Sequence, residues 1–223
     1  MDMKNREKAC TKTQKATLRA KMHDRMKALP RGEHASLSKQ ATACLMASAE
    51  WQQAKTVYLF VSMGNEIDTH PLLNAAWEAG KILCLPRCRK DRSGIMDFWP
   101  CSGMNDLAPG VMGILEPPLP PGLQIVPGST CPPPANPAPD LVLLPALACS
   151  PQGGRLGYGG GYYDRFFASH FTDISPQPMR VAFCFALQIV PDLSLDPWDQ
   201  HADRICTEQG LVRATHNNSR GTA

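Results

Sequence analysis

The segment from Gly153 to Arg165, GGRLGYGGGYYDR, carries the densest chemistry in the chain. Glycines at 153, 154, 157, 159, 160 and 161 let the backbone take positive φ or approach a ligand with no Cβ in the way, and successive free N–H groups then form an anion-binding concavity. Arg155 puts a phosphate-pairing guanidinium at one end, and Asp164 a carboxylate of the magnesium-ligating kind at the other. Neither standard nucleotide signature is met. A Walker A loop needs GxxxxGK[ST], and the spacing of Gly157, Gly159 and Gly161 does not make GxGxxG. On pattern alone, a tight connection and a phosphate cradle both stay open.

A second source of positive charge lies at the start, where Lys4, Arg6, Lys8, Lys12, Lys15, Arg19, Lys21, Arg25, Lys27 and Arg31 accumulate. A face that basic suits phosphates, and it equally suits a solvated helix. From Thr13 to Leu29 the apolar positions Leu18, Met22, Met26 and Leu29 recur at helical steps, so the spacing predicts an amphipathic helix. Lys15 and Arg19 then point the same way, beside the buried stripe.

The elements that must position these groups alternate between helix and strand. A second helix is expected over Leu37 to Trp51 and a buried strand over Thr56 to Ser62 (TVYLFVS). Thr69 is expected to cap the next helix, with Pro71 in its first turn and Gly80 at its end. The run Lys81 to Pro86 (KILCLP) completes a β-α-β unit, whose strands' carboxyl ends offer a binding crevice. Further strands are expected at Ile95 to Trp99, Asp140 to Pro145 (DLVLLP) and Arg180 to Leu187 (RVAFCFAL), with a helix beginning near Tyr162. The expected architecture is α/β: a Rossmann-like three-layer fold with a largely parallel or mixed sheet flanked by helices. One domain spans residues 1–208, interrupted near 117–139 by a proline-rich insert, and 209–223 reads as a flexible tail. An SH3-type ligand within PPLPP is the other reading of the insert.

Length and composition agree with one domain. The 223 residues include 43% hydrophobic and 19% charged, with a net charge of +3, an ordinary globular balance that demands neither nucleic acid nor membrane as partner. No apolar run reaches the roughly 20 residues that span a bilayer, and the charged start lacks the apolar core of a secretory signal. A cytoplasmic, monomeric protein is expected, and Asp2, Glu7 and Asp24 weigh against a mitochondrial leader. The nine cysteines stand singly, without zinc spacing or a disulfide pattern.

The stretch VLLPALACSPQGGRLGYGGGYYDRF resembles the signature of the 5-formyltetrahydrofolate cyclo-ligases, the methenyltetrahydrofolate synthetases. The resemblance extends in order through the Lys15/Arg19 pair, FVSMGNEIDT (Phe60 to Thr69), LPR (Leu85 to Arg87), GILEP (Gly113 to Pro117) and DPWDQHADRICTE (Asp196 to Glu208). It implies that Lys15 and Arg19 bind the phosphates of ATP together with Arg155, Leu156, Gly157, Tyr158, Gly159, Gly160, Gly161, Tyr162 and Tyr163. Lys15, Arg19 and Arg155 would stabilise charge during transfer. Val61 and Glu66 would contact 5-formyltetrahydrofolate, with Tyr158, Gly159, Gly160, Gly161 and Tyr162 opposite. Asp164 and Asp199 would hold Mg2+. The chain departs from the family where Phe-Asp is often found, having Cys149 and Ser150, and it has Tyr158 and Gly160 where some members carry basic residues.

The implied reaction phosphorylates the formyl oxygen and closes the ring to 5,10-methenyltetrahydrofolate, releasing ADP and phosphate. Two other readings use the same residues. A sugar-phosphate isomerase would employ Glu66 as base and need no ATP; a nucleotide- or folate-binding module would bind without turnover.

Overall fold

A computed structural model of the chain describes residues 3–119, 137–171 and 175–215. Seven strands form one sheet: β1 (Thr56–Tyr58), β2 (Ile82–Cys88), β3 (Met96–Pro100), β4 (Leu141–Pro145), β5 (Met179–Phe183), β6 (Arg204–Thr207) and β7 (Gly210–Arg213). Their order is β7-β6-β5-β4-β1-β2-β3. The strands from β6 to β2 in that order run parallel, while β3 and β7 pair antiparallel at the two edges. The expected α/β class therefore holds, with a mixed, mostly parallel sheet. Between β1 and β4 the strand order reverses direction, and the crevice at their carboxyl ends is where such folds bind ligands.

Side-chain alternation explains the layers. Val57, Leu83, Leu85, Leu141, Leu143, Val181 and Phe183 point to one face, with Leu45, Leu72, Leu73 and Ala76 of α2 (Arg31–Met46) and α4 (His70–Glu78). Tyr58, Cys84, Val142, Leu144, Ala182 and Cys184 point to the other, where they meet Phe166 and Phe167 of α5 (Tyr162–His170). Tyr58 stacks on Phe98 at 4.6 Å between centroids and Phe98 meets Phe166 at 4.8 Å. Each such aromatic pair adds about 1 kcal/mol beyond its buried area. A smaller cluster joins Met22 of α1 (Met3–Ala28) to Leu147, Ala148, Leu156 and Leu193, which docks the basic helix beside the glycine segment.

Several local expectations are corrected. The helix expected over 37–51 is two helices, α2 and α3 (Ala49–Gln53). Ser48 ends one and starts the other: its hydroxyl donates to Leu45 O at 2.6 Å and accepts from Trp51 N at 3.2 Å. Thr69 stands at the N-cap of α4, as expected, but its side chain makes no capping bond. Its hydroxyl donates to Phe60 O at 2.7 Å and accepts from Ser62 N at 3.0 Å, pinning the two ends of the loop that carries Glu66. The expected tail is structured through residue 215, because β7 pairs with β6 and Thr215 N donates to Pro151 O at 2.9 Å. Residues 216–223 and most of the proline-rich insert, 120–136, lie outside the described residues.

Candidate active site

The glycine segment follows β4 and leads into α5. A two-residue hairpin, Ala148–Cys149 against Arg155–Leu156, turns the chain back, and the loop then runs to Gly161. Gly159 has φ +106° and Gly161 φ +64°, conformations that side-chain-bearing residues adopt at a cost. Gly161 starts α5 with no side-chain cap, so the helix presents free N–H groups and its positive dipole end to the loop.

Helix α1 supplies the cations. Arg19 Nε donates to Gly157 O at 3.0 Å, and its guanidinium lies 3.6 Å from where a Cβ on Gly159 would stand. Lys15 Nζ donates to Asp196 Oδ2 at 2.6 Å and also to Asp199. Burial alone would lower the Lys15 pKa; the hydrogen bonds and charges of the two carboxylates outweigh it and leave the ammonium raised above its ordinary value. Asp196 escaped the sequence reading, although it stands three positions before Asp199 in the same motif.

Arg155, expected at the phosphates, is turned into the protein. It is 6% exposed, with Nη1 donating to Pro145 O at 3.1 Å and Nη2 to Asp164 Oδ1 at 3.1 Å, and it lies over the Tyr163 ring at 5.5 Å. Its reach ends at β4, so it clamps the loop to the strand; a guanidinium committed to these acceptors orients Asp164. That carboxylate also accepts from Gln200 N at 3.0 Å, while Ala202 N donates to Gly153 O at 2.9 Å. The Asp196–Ala202 segment is thereby held against the glycine loop. Arg180 of β5 holds the next residue, Asp203, at 3.1 Å through both Nε and Nη2.

On the opposite side of the crevice, Val61 is buried three residues beyond β1 and Glu66 sits in the following loop. Glu66 Oε2 accepts from Met63 N at 2.7 Å, and the carboxyl faces the Tyr158 hydroxyl. Burial raises the Glu66 pKa above the usual glutamate value, opposed by the Met63 N–H and the Tyr158 hydroxyl. Burial of the hydroxyl and the nearby Glu66 charge also raise that of Tyr158, though the residue as a whole remains exposed. Leu156 is buried in the hairpin and Tyr163 under the loop, so these two support the loop; Gly157, Tyr158, Gly159, Gly160 and Tyr162 line its outer side. Cys149 and Ser150 are buried behind the turn.

Could these residues hold a metal? Among the described residues no group of three or more His, Cys, Asp or Glu side chains is arranged to do so. Magnesium carried by a polyphosphate needs one or two carboxylates, its other positions being filled by phosphate oxygens and water. Asp199 and Asp164, on adjoining segments beside the loop, fit that smaller demand. Among the same residues, no helix is long and apolar enough to cross a membrane.

Known proteins with the same features place this arrangement in a family. The model of the 5-formyltetrahydrofolate cyclo-ligase family matches residues 11–208. The 5-formyltetrahydrofolate cyclo-ligase of Mus musculus is 28% identical over 204 residues, covering 87% of this chain and 93% of that protein. That of Escherichia coli K12 is 29% identical over 178 residues, covering 80% and 91%. The solution structure of Aquifex aeolicus 5,10-methenyltetrahydrofolate synthetase superposes with a TM-score of 0.72 at 25% identity, covering 93% of this chain and 96% of that one. With the match running from the basic helix through the glycine loop to the DPWD segment, the chain belongs to the 5-formyltetrahydrofolate cyclo-ligase family.

Proposed function

We propose that this protein converts 5-formyltetrahydrofolate to 5,10-methenyltetrahydrofolate with ATP and Mg2+, releasing ADP and phosphate. The observation that carries the reading is the convergence of Lys15 and Arg19 on the Asp196–Asp199 segment and on Gly157 at the switch point. Two cations, a run of glycine N–H groups and the start of α5 there meet carboxylates suited to a magnesium–phosphate complex.

The chemical need explains the design. A formamide is a poor electrophile because its nitrogen lone pair is delocalised into the carbonyl. In the proposed reaction the formyl oxygen attacks the γ-phosphorus and ADP leaves. The neighbouring aryl nitrogen then attacks the activated carbon, the C–O bond breaks with release of phosphate, and the nitrogen's proton is lost to solvent. No protein nucleophile is required, so the protein's work is positioning and charge stabilisation.

In this reading Lys15 and Arg19 neutralise charge on the transferring phosphoryl group and the backbone of Gly157 to Gly161 cradles it. Arg155 acts by holding the loop and Asp164 in place. Asp164 and Asp199 would hold Mg2+, which when bound draws negative charge from the phosphate oxygens. Glu66 and Val61 form one wall for the folate, and Tyr158 to Tyr162 the other. The reading includes a single catalytic domain, active as a cytoplasmic monomer.

The test mixes protein, 5-formyltetrahydrofolate and MgATP and follows the absorbance of the methenyl product. Product only when ATP is present supports the reading. No product with either nucleotide condition, despite binding of both ligands, would leave a binding module; isomerisation of a sugar phosphate without ATP would replace it altogether.

A further inference from the structure

Helix α1 brings one more side chain to this site than the phosphate chemistry uses. Lys15, Arg19 and His23 follow at steps of four, so they form one stripe on the helix. Each meets a different part of the site: Lys15 the Asp196–Asp199 segment, Arg19 the carbonyl of Gly157, and His23 the ring of Tyr158, with centroids 5.8 Å apart and planes at 56°. The Tyr158 hydroxyl in turn faces the Glu66 carboxyl, near enough for each to shift the other's pKa. Across the crevice, Glu66 O lies 2.8 Å from Nε2 of His34 on α2, whose ring packs edge-on to Phe185 at 5.1 Å. A linked row, His23–Tyr158–Glu66–His34, thus crosses the switch point from α1 to α2.

We propose that His23 is a positioning residue for the substrate side of the site: by packing on Tyr158 it holds the tyrosine hydroxyl against Glu66, so that both folate walls are in register before the folate binds. The claim rests on the assignment of Glu66 and Tyr158 as folate contacts. Tyr158 stands between Gly157 and Gly159, the latter at φ +106°, so its neighbours in the chain do little to fix its direction. The residue is 43% exposed and belongs to none of the core clusters. Two neighbours bracket it: Glu66 at the hydroxyl and the tilted ring of His23. Ordering this side chain in advance removes part of the entropy that substrate binding would otherwise cost. His23 itself is exposed, so its removal opens no core cavity.

His23→Ala and His23→Phe are compared with the wild type, with and without Tyr158→Ala. The readouts are the Kd of 5-formyltetrahydrofolate in the absence of nucleotide, kcat at saturating substrates, melting temperature, and the rate of chymotryptic cleavage after Tyr158 in the ligand-free protein. His23→Ala is expected to weaken folate binding roughly two- to tenfold, the size of one aromatic contact. It should speed cleavage while kcat and melting temperature stay at wild-type values. His23→Phe should restore binding and protection, and in the Tyr158→Ala background His23→Ala should have no further effect on binding. Unchanged cleavage and Kd in His23→Ala, failure of Phe to rescue, or additive losses in the double variant would each overturn the positioning role. Accelerated cleavage in His23→Ala, with a wild type that does not bind 5-formyltetrahydrofolate, would keep the contact but overturn its assignment to the folate and the reading beneath it.

Discussion

Lys15 Nζ lies 2.6 Å from Asp196 Oδ2, joining residues 181 positions apart in the chain. With Asp199 on the same ammonium, one cation on α1 pairs with two carboxylates of a distant loop. On the proposed reading, a polyphosphate entering this site would meet a lysine already oriented, beside the carboxylates proposed to hold magnesium.

Removing that cation should therefore hurt chemistry more than folding. Lys15→Ala and Arg19→Ala are each expected to lower kcat/KM for ATP by about 100-fold, equivalent to about 3 kcal/mol of transition-state stabilisation. Circular-dichroism melts should stay close to wild type, since neither side chain fills the core. Unaltered ATP kinetics in both variants would reduce the basic stripe to a solvated face.

Arg155 should behave in the opposite way. Its guanidinium is buried and joins Pro145 O to Asp164, so Arg155→Met is expected to cost about 3 kcal/mol of stability, read as a lower urea midpoint. Arg155→Lys should recover little, because a single ammonium cannot span both acceptors as a planar fork does. Wild-type stability with lost turnover would instead place Arg155 among the direct phosphate ligands.

Gly159→Val tests the loop. The space around a Cβ there is ordinary, with Arg19 atoms at 3.6 Å, whereas φ +106° is not open to valine, so the strain falls on the backbone. Such strain costs about 1–3 kcal/mol and is relieved by moving the loop. Turnover per folded molecule should be lost and ATP should no longer protect the loop from proteolysis, while helix content is kept. Near-normal turnover with MgATP would remove the loop from the mechanism.

Glu66 predicts a pH dependence of stability. Its pKa is raised by burial in the folded state, so the folded protein binds its proton more tightly than the unfolded chain does. The contribution is then fully present below the unfolded value of about 4.3 and is lost as pH rises through the higher folded value. Glu66→Gln should flatten the decline in urea-derived stability over that window and leave the protein relatively more stable above it. An identical pH slope in wild type and variant would contradict this.

Much of the molecule was legible in one dimension because it depends on local physics. Short continuous runs of apolar and β-branched residues in TVY, ILCLP and LVLLP point to buried strands, and the glycines from 153 to 161 point to a tight turn. The family's motifs lie along the chain in order, so its membership could be read without coordinates. Tertiary structure decided what those patterns leave open. Arg155 reads as a phosphate ligand beside a glycine loop, yet the hairpin at Ala148–Cys149 turns it toward Pro145, a direction no local spacing encodes. Gly210–Arg213 has a weak pattern of its own and becomes a strand because β6 offers it an edge. The Lys15 and His23 contacts likewise exist only once α1 docks on Leu147 and Leu156, since pairings across so many residues follow from packing and register rather than from sequence periodicity.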